Sequence, residues 1–252
     1  MGHVFTLPSG VECEVSKLKG KHQKLLTQQD SNLLDNMNQI LCDVIVRVGS
    51  VTGSGINFDF TEKLLSRDRN FIMFNVRQYS LGFPLEFKTP FKYKSVHTKQ
   101  NIDEEISVLL SEITMKPYSF QVEEYSEIVR DYFLDVVDYE GGKIRITLPD
   151  GAAERRISAK KKKEQSSHLD IQQCNPVFFT EKNIPVSVNL DELDFLSIED
   201  LRKQILRILG KFDTTISAEH PESDYKSQGD KFIRFNLLSD PNFFFPSGAF
   251  SQ

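Results

Sequence analysis

The sequence predicts an α+β protein built as two related halves, each with a β-hairpin in a small antiparallel sheet packed against helices. Three observations predict it. The phrase Phe5-Thr6-Leu7-Pro8-Ser9-Gly10 returns as Ile146-Thr147-Leu148-Pro149-Asp150-Gly151. Apolar residues recur at helical spacing in residues 33 to 48 and 201 to 209, and they alternate with polar ones in residues 85 to 94 and 231 to 237. The repeat divides the chain at residues 1–120 and 121–252. Each copy places apolar residues before a Pro-Ser/Asp-Gly turn and an extended, charged segment after it, which reads as strand, tight turn and returning strand. Gly10 and Gly151 are therefore expected at matching turn positions. A duplicated unit with no reactive residue in its turn suits a scaffold better than an active site.

In the first half the hairpin is expected over residues 4 to 16, and Gly20 hands over to a short polar helix over residues 21 to 27. The strongest helical stripe is Leu33, Leu34, Met37, Ile40, Leu41, Val44, Ile45 and Val48, with Ser31 as cap and Gly49 as stop. Gly53-Ser54-Gly55 marks a loop. Thr61 is a cap for a stretch through Leu64 and Leu65, and Asp68 for one through Phe71, Ile72, Val76 and Tyr79, closed by Gly82 and Pro84. Residues 85 to 94 alternate as a half-exposed strand, and residues 102 to 113 carry both strand and helix signals.

In the second half residues 132 to 139 join 144 to 147 through Glu140-Gly141-Gly142, a strong hairpin signal. After Gly151 the chain runs Arg155-Arg156 and then Lys160-Lys161-Lys162-Lys163-Glu164, and alignment of the two phrases places the first copy's short helix at this lysine run. Ser197-Ile198-Glu199-Asp200 resembles a capping box, and Leu201, Ile205, Ile208 and Leu209 form a buried stripe ending at Gly210. Residues 217 to 228 read as a polar loop, and residues 231 to 237 as a strand.

Composition bounds the function. The chain has 252 residues and a formal net charge of −5, long enough to bury a core and without the cationic excess of a general nucleic-acid binder. The three cysteines, Cys13, Cys42 and Cys174, have the spacing of neither a disulfide framework nor a metal knuckle, which indicates synthesis in a reducing cytosol. Neither a signal peptide nor an apolar run of the roughly 20 residues needed to span a bilayer is legible. A soluble product with no membrane partner is expected.

The residues that could carry chemistry are dispersed. His3, His22, His97, His168 and His220 fall in no motif and read as surface or loop histidines. Gly53-x-Gly55 lacks the rest of a dinucleotide fingerprint, and the side chains of Glu104-Glu105 and Glu123-Glu124 diverge on a strand or a helix. No catalytic residue, cofactor or metal is assigned. Arg67-Asp68-Arg69 and Arg77-Gln78 lie beside aromatic residues, where pairing inside the fold competes with an interface role. Arg77 is retained as a partner-binding candidate. Phe243-Phe244-Phe245-Pro246 cannot all face one side of a strand, so the segment either folds onto its own core or anchors a partner, with self-association as one form.

In this order the motifs resemble a family. Phe-Thr-Leu-Pro-Ser-Gly, then Leu18-x-Gly20-Lys21, an amphipathic helix, Leu64-Leu65-x-x-Asp68-Arg69, Arg77-Gln78-x-Ser80-Leu81-Gly82, a second Leu-Pro-Asp-Gly and a terminal Phe-Phe-Phe-Pro-Ser are similar to the baseplate hub assembly proteins of T4-type contractile-tailed phages. The resemblance implies a noncatalytic protein that builds the central baseplate hub or stays associated with it, in phage tails or phage-derived injection systems. Its partners would be hub or tail-tube-initiating proteins, and its location the host cytoplasm during assembly or the virion baseplate. Relatives often carry paired Cys-x-x-Cys motifs after the Ser80-Leu81-Gly82 phrase. Here the stretch runs Phe87-Lys88-Thr89-Pro90-Phe91-Lys92-Tyr93-Lys94, so no zinc carries over, and Phe87, Phe91 and Tyr93 are expected to hold that region by packing. The alternative is a nucleic-acid-binding accessory protein using Arg155, Arg156 and Lys160 to Lys163, although this local cluster lacks interleaved aromatics.

Overall fold

The computed structural model describes residues 2–27, 33–82, 86–109, 113–136, 142–161, 168–180, 182–187, 189–213, 215–222 and 232–236. The fold is α+β. Strands β1 (His3–Thr6) and β2 (Glu12–Val15) form a hairpin, helices α1 (Gly20–Thr27) and α2 (Leu33–Val44) follow, and β3 (Ile45–Val48) and β4 (Val51–Thr52) complete an antiparallel sheet in the order β1-β2-β3-β4. A 3-10 turn at Gly53–Gly55 leads to α3 (Phe58–Lys63) and α4 (Ser66–Leu81), and then to the hairpin β5 (Glu86–Lys94) and β6 (Asn101–Leu109). A short strand β7 (Thr114–Lys116) ends this part.

The second half repeats this element order as far as the 3-10 turn, after which it carries one helix in place of two. Hairpin β8 (Asp131–Asp135) and β9 (Lys143–Thr147) is followed by α5 (Gly151–Lys161) and α6 (Leu169–Gln172), then β10 (Val177–Phe179) and β11 (Pro185–Val186). These strands make a sheet in the order β11-β10-β9-β8. A 3-10 turn at Leu190–Glu192, helix α7 (Phe195–Leu209), β12 (Lys211–Asp213) and the hairpin β13 (Thr215–Glu219) and β14 (Phe232–Asn236) complete the described elements. β12 pairs with β7, so backbone hydrogen bonding crosses the line drawn at residue 120. One apolar core also runs through both halves, with Leu7, Ile40, Val44 and Ile72 in the first and Ile144, Phe178, Leu201 and Ile205 in the second.

Several expectations are corrected. Residues 33 to 48 are not one helix: α2 stops at Val44, and the β-branched run Ile45-Val46-Arg47-Val48 pairs with β2, burying Ile45 and Val48 and exposing Val46. The Leu-Pro-Asp-Gly phrase is not a hairpin turn. Gly10 sits at φ +98 in a tight turn closed by the Gly10 amide on the Leu7 carbonyl, whereas Gly151 begins α5 because the Asp150 carboxylate accepts from the Ala153 amide at 3.0 Å. Thr61 lies inside α3, which Asn57 caps, and Asp68 lies in the first turn of α4 after an N-cap at Leu65. Asp194, not Ser197, caps α7 by accepting from the Leu196 and Ser197 amides. Residues 217 to 219 belong to β13. Ser31 lies outside the described residues.

Candidate functional site

Residues from several of the motifs, Ser9, Leu65, Ser66, Asp68, Pro149 and Asp150, meet at the start of α4. A chain entering this helix presents its first amides, and those of Leu65 and Ser66 find partners distant in the chain. Toward the first half, the Asp68 carboxylate accepts from the Ser9 amide at 3.2 Å, inside the Pro-Ser-Gly turn. Toward the second, the Ser66 amide and hydroxyl donate to the Pro149 and Asp150 carbonyls at 2.8 and 3.1 Å, and Leu65 and Asp150 form a β-bridge. Both copies of the repeated phrase thus grip one helical turn. Between them, the Tyr125 hydroxyl accepts from the Leu65 amide.

Arg69 is the electrostatic centre. Its side chain is fully buried, pairs with Glu154 of α5 at 3.2 Å, and donates to the Asn38 side chain of α2 and to the Thr61 carbonyl. Burial raises the Glu154 pKa while Arg69 opposes the rise. A Cβ on Gly151 would come within 2.7 Å of Arg69 Nη1, so glycine here is set by the close approach of the guanidinium. Arg67 donates to the carbonyl of Gly210 at the end of α7, and Arg130 bridges the Lys63 carbonyl and the Asp150 carboxylate. Burial pushes the Asp68 carboxyl up to about 7 despite the Ser9 and Tyr125 hydrogen-bonding groups and the Arg130 charge. The buried Asp68 Oδ2, Ser9 Oγ and Tyr118 Oη have no hydrogen-bond partner among the described residues.

Arg77, expected at a partner surface, is instead 2 % exposed on the buried side of α4, where desolvation pushes its pKa down to about 10. A side chain so placed cannot reach a partner without opening the fold. Phe243, Phe244, Phe245 and Pro246 lie outside the described residues. Arg155 is drawn into the fold by ion pairs to Asp35 and Glu62 at 2.6 and 3.1 Å and lies over the Phe58 ring. Arg156 is exposed on α5, which also includes Lys160 and Lys161, while Lys162 and Lys163 lie outside the described residues.

Two of the histidines are not surface groups. His22 is buried, its Nδ1 accepting from the Lys19 amide and its Nε2 facing Asp43 at 3.3 Å. Both ring nitrogens are engaged, which leaves none to abstract a substrate proton, and burial lowers its pKa. His220 is buried against Phe91 and Tyr93, two of the aromatics expected to hold the hairpin region. The Phe87 side chain is outside the described set. Among the described residues no three His, Cys, Asp or Glu side chains gather as a metal site, and no helix is long and apolar enough to cross a membrane.

Sequence reasoning misses the α4 junction, whose one signal is the charged triplet Arg67-Asp68-Arg69 directly after Leu64-Leu65. Its partners are far away in the chain and cannot be read from spacing. Comparison with family models, with curated proteins and with solved structures finds no match. The geometry itself describes an internal clasp: Asp68, Arg69 and the Ser66 backbone are committed to neighbouring turns and helices.

Proposed function

We propose that this chain is a noncatalytic assembly or structural component of the central baseplate hub of a contractile phage tail or a related injection system. One observation carries the reading. Motifs of the resemblance that are widely separated in sequence are tied to one helix, α4: Ser9 to Asp68 and Ser66 to Pro149 and Asp150 at its start, and Leu18 through its amide to the Ser80 hydroxyl at 2.8 Å in its last turn. A motif set kept in order by such an architecture suits a rigid scaffold that holds partners rather than a cleft that transforms a substrate. The partners in this reading are hub or tail-tube-initiating proteins, engaged in the host cytoplasm during assembly, and the terminal segment with Phe243, Phe244, Phe245 and Pro246 is an anchor for them or for a second copy.

Deletion of the gene is the test. Tails should then lack a hub, and a mass-spectrometric inventory of wild-type intermediates and finished particles should find the chain in the former alone if it is a chaperone, or in both if it is structural. Normal, infectious particles assembled without it would overturn the proposal.

A further inference from the structure

We propose that the groove between the C-terminal half of α7 and the β7–β12 ladder docks an acidic segment of a partner protein, one that carries an apolar side chain between its carboxylates. This inference stands on its own observations and does not require the phage reading. Lys203, Leu206, Arg207 and Gly210 share one face of α7 and its cap, at the i, i+3, i+4 and i+7 spacing that aligns side chains along a helix. Lys116 and Lys211 are direct cross-strand partners in the ladder. Together with Pro117 they line an open groove of about 490 Å³.

Four cations therefore face one groove on a chain whose net charge is −5. Lys203 and Arg207 line the groove beside the Lys116 and Lys211 positions, so the described lining is complementary to an acidic occupant. Leu206, 54 % exposed, stands between the cations with Pro117, so the lining offers apolar contact as well as charge. The described lining has no aromatic ring on which a nucleobase could stack, which favours a protein segment over a nucleic acid.

The groove is also preformed. Gly210 adopts φ +66, and a Cβ there would lie 1.9 Å from the Pro117 carbonyl oxygen, so the backbone of residues 116 and 117 rests directly on the end of α7. The Ser119 amide donates to the Ile208 carbonyl at 2.9 Å, which ties the two walls together, and Arg67 of α4 holds the end of α7 through the Gly210 carbonyl. A rigid site loses little conformational freedom when it binds.

Titration of the isotope-labelled full chain with a capped peptide alternating glutamate and leucine, followed by amide chemical shifts, tests the proposal. Shifts should concentrate at Lys116, Leu206, Arg207 and Gly210, weaken when leucine is replaced by serine, and weaken again at about 0.3 M salt, where screening shortens the reach of exposed charges. K203E/R207E should lower affinity at least about tenfold, because two attractive pairs become repulsive. If that variant does not fold, as judged by its amide dispersion, K203Q/R207Q should lower affinity in the same direction. The proposal is overturned if the peptide moves none of these amides, if affinity survives the charge changes, or if an oligothymidylate binds the groove as tightly as the peptide.

Discussion

Leu7-Pro8-Ser9-Gly10 and Leu148-Pro149-Asp150-Gly151 differ in one letter and build opposite structures. The first closes a hairpin on a left-handed glycine; the second ends a strand and starts a helix. Two physical choices separate them. Aspartate at the third position holds the amide three residues on and caps a helix, while the residues after the turn are β-prone Val11-Glu12-Cys13 in one case and helix-forming Ala152-Ala153-Glu154 in the other. The same four-residue frame is thus a turn or a helix start according to the residues that come after it. In element order, α5 corresponds to α1, so the helix start at Gly151 answers to the one at Gly20 and not to the turn at Gly10. The written repeat and the architectural repeat are out of phase by one strand.

What the two phrases share is their destination, the first turn of α4, and the strongest way to break the comparison is to remove the group that binds most of that destination together. Arg69→Met leaves Glu154 and the Asn38 side chain buried without their cation. Breaking one side of a buried pair costs about 3–5 kcal/mol, which for a chain of this size corresponds to a fall in thermal midpoint on the order of 10 °C. A midpoint within about 1 °C of wild type would show that the halves do not depend on the clasp.

A smaller effect separates the first phrase from the second by pH. Only the Ser9 turn is held by Asp68, whose folded pKa is raised to about 7 from an ordinary value of 3.8. The folded state therefore keeps this proton when the unfolded state has lost it. Stability associated with the protonated carboxyl is complete below pH about 4 and is lost as pH rises through about 7. Arg130 lowers this pKa, while the Tyr118 and Tyr125 hydroxyls and the Cys13 thiol, also near Asp68, are themselves held protonated by burial. Asp68→Asn keeps an acceptor for the Ser9 amide and carries no charge. Denaturant titrations at pH 5 and 8 should show the variant gaining on wild type by up to roughly 3 kcal/mol across that interval. An equal pH dependence in both proteins would remove Asp68 as its source.

The fold class was legible because it rests on periodicity, and periodicity is local. The stripes of α2 and α7, the alternation of β5 and β14 and the Gly-Gly hairpin of β8 and β9 need only neighbouring residues to be read. The end of α2 was hidden since Ile45 and Val48 continue its helical spacing and also fit a strand; the presence of β2 beside them decided the matter. The junction was hidden for a stronger reason. The sequence leaves Arg69 between pairing inside the fold and an interface role, and no spacing in the chain names Asn38, Thr61 and Glu154 as its partners. The sequence assigns His22 to the surface or a loop because polar residues lie there by default, whereas for Arg77 burial favours the fold interior over the interface role.

The finest comparison sets Ser9 against Asp150, the one position where the phrases disagree. Asp150 works through its side chain: it caps α5 on the Ala153 amide and receives Arg130 at 3.4 Å. Ser9 works through its backbone, its amide bound to Asp68 and its carbonyl to the Val122 amide, while its buried hydroxyl has no partner among the described residues. Asp150→Ala should thus cost about 0.5–2 kcal/mol, the usual loss for a helix cap. The half-exposed Arg130 pair adds little to this, since solvent screens such charges. Ser9→Ala keeps both backbone bonds and deletes an unpaired buried hydroxyl, so its change should stay within about 0.5 kcal/mol of zero. Urea titrations of the two variants at pH 7 check the ordering. If Ser9→Ala is the more damaging, the hydroxyl is holding Asp68 after all, and the first phrase is fastened to α4 by a side chain as well as by its backbone, whereas the second is fastened through the Pro149 and Asp150 carbonyls.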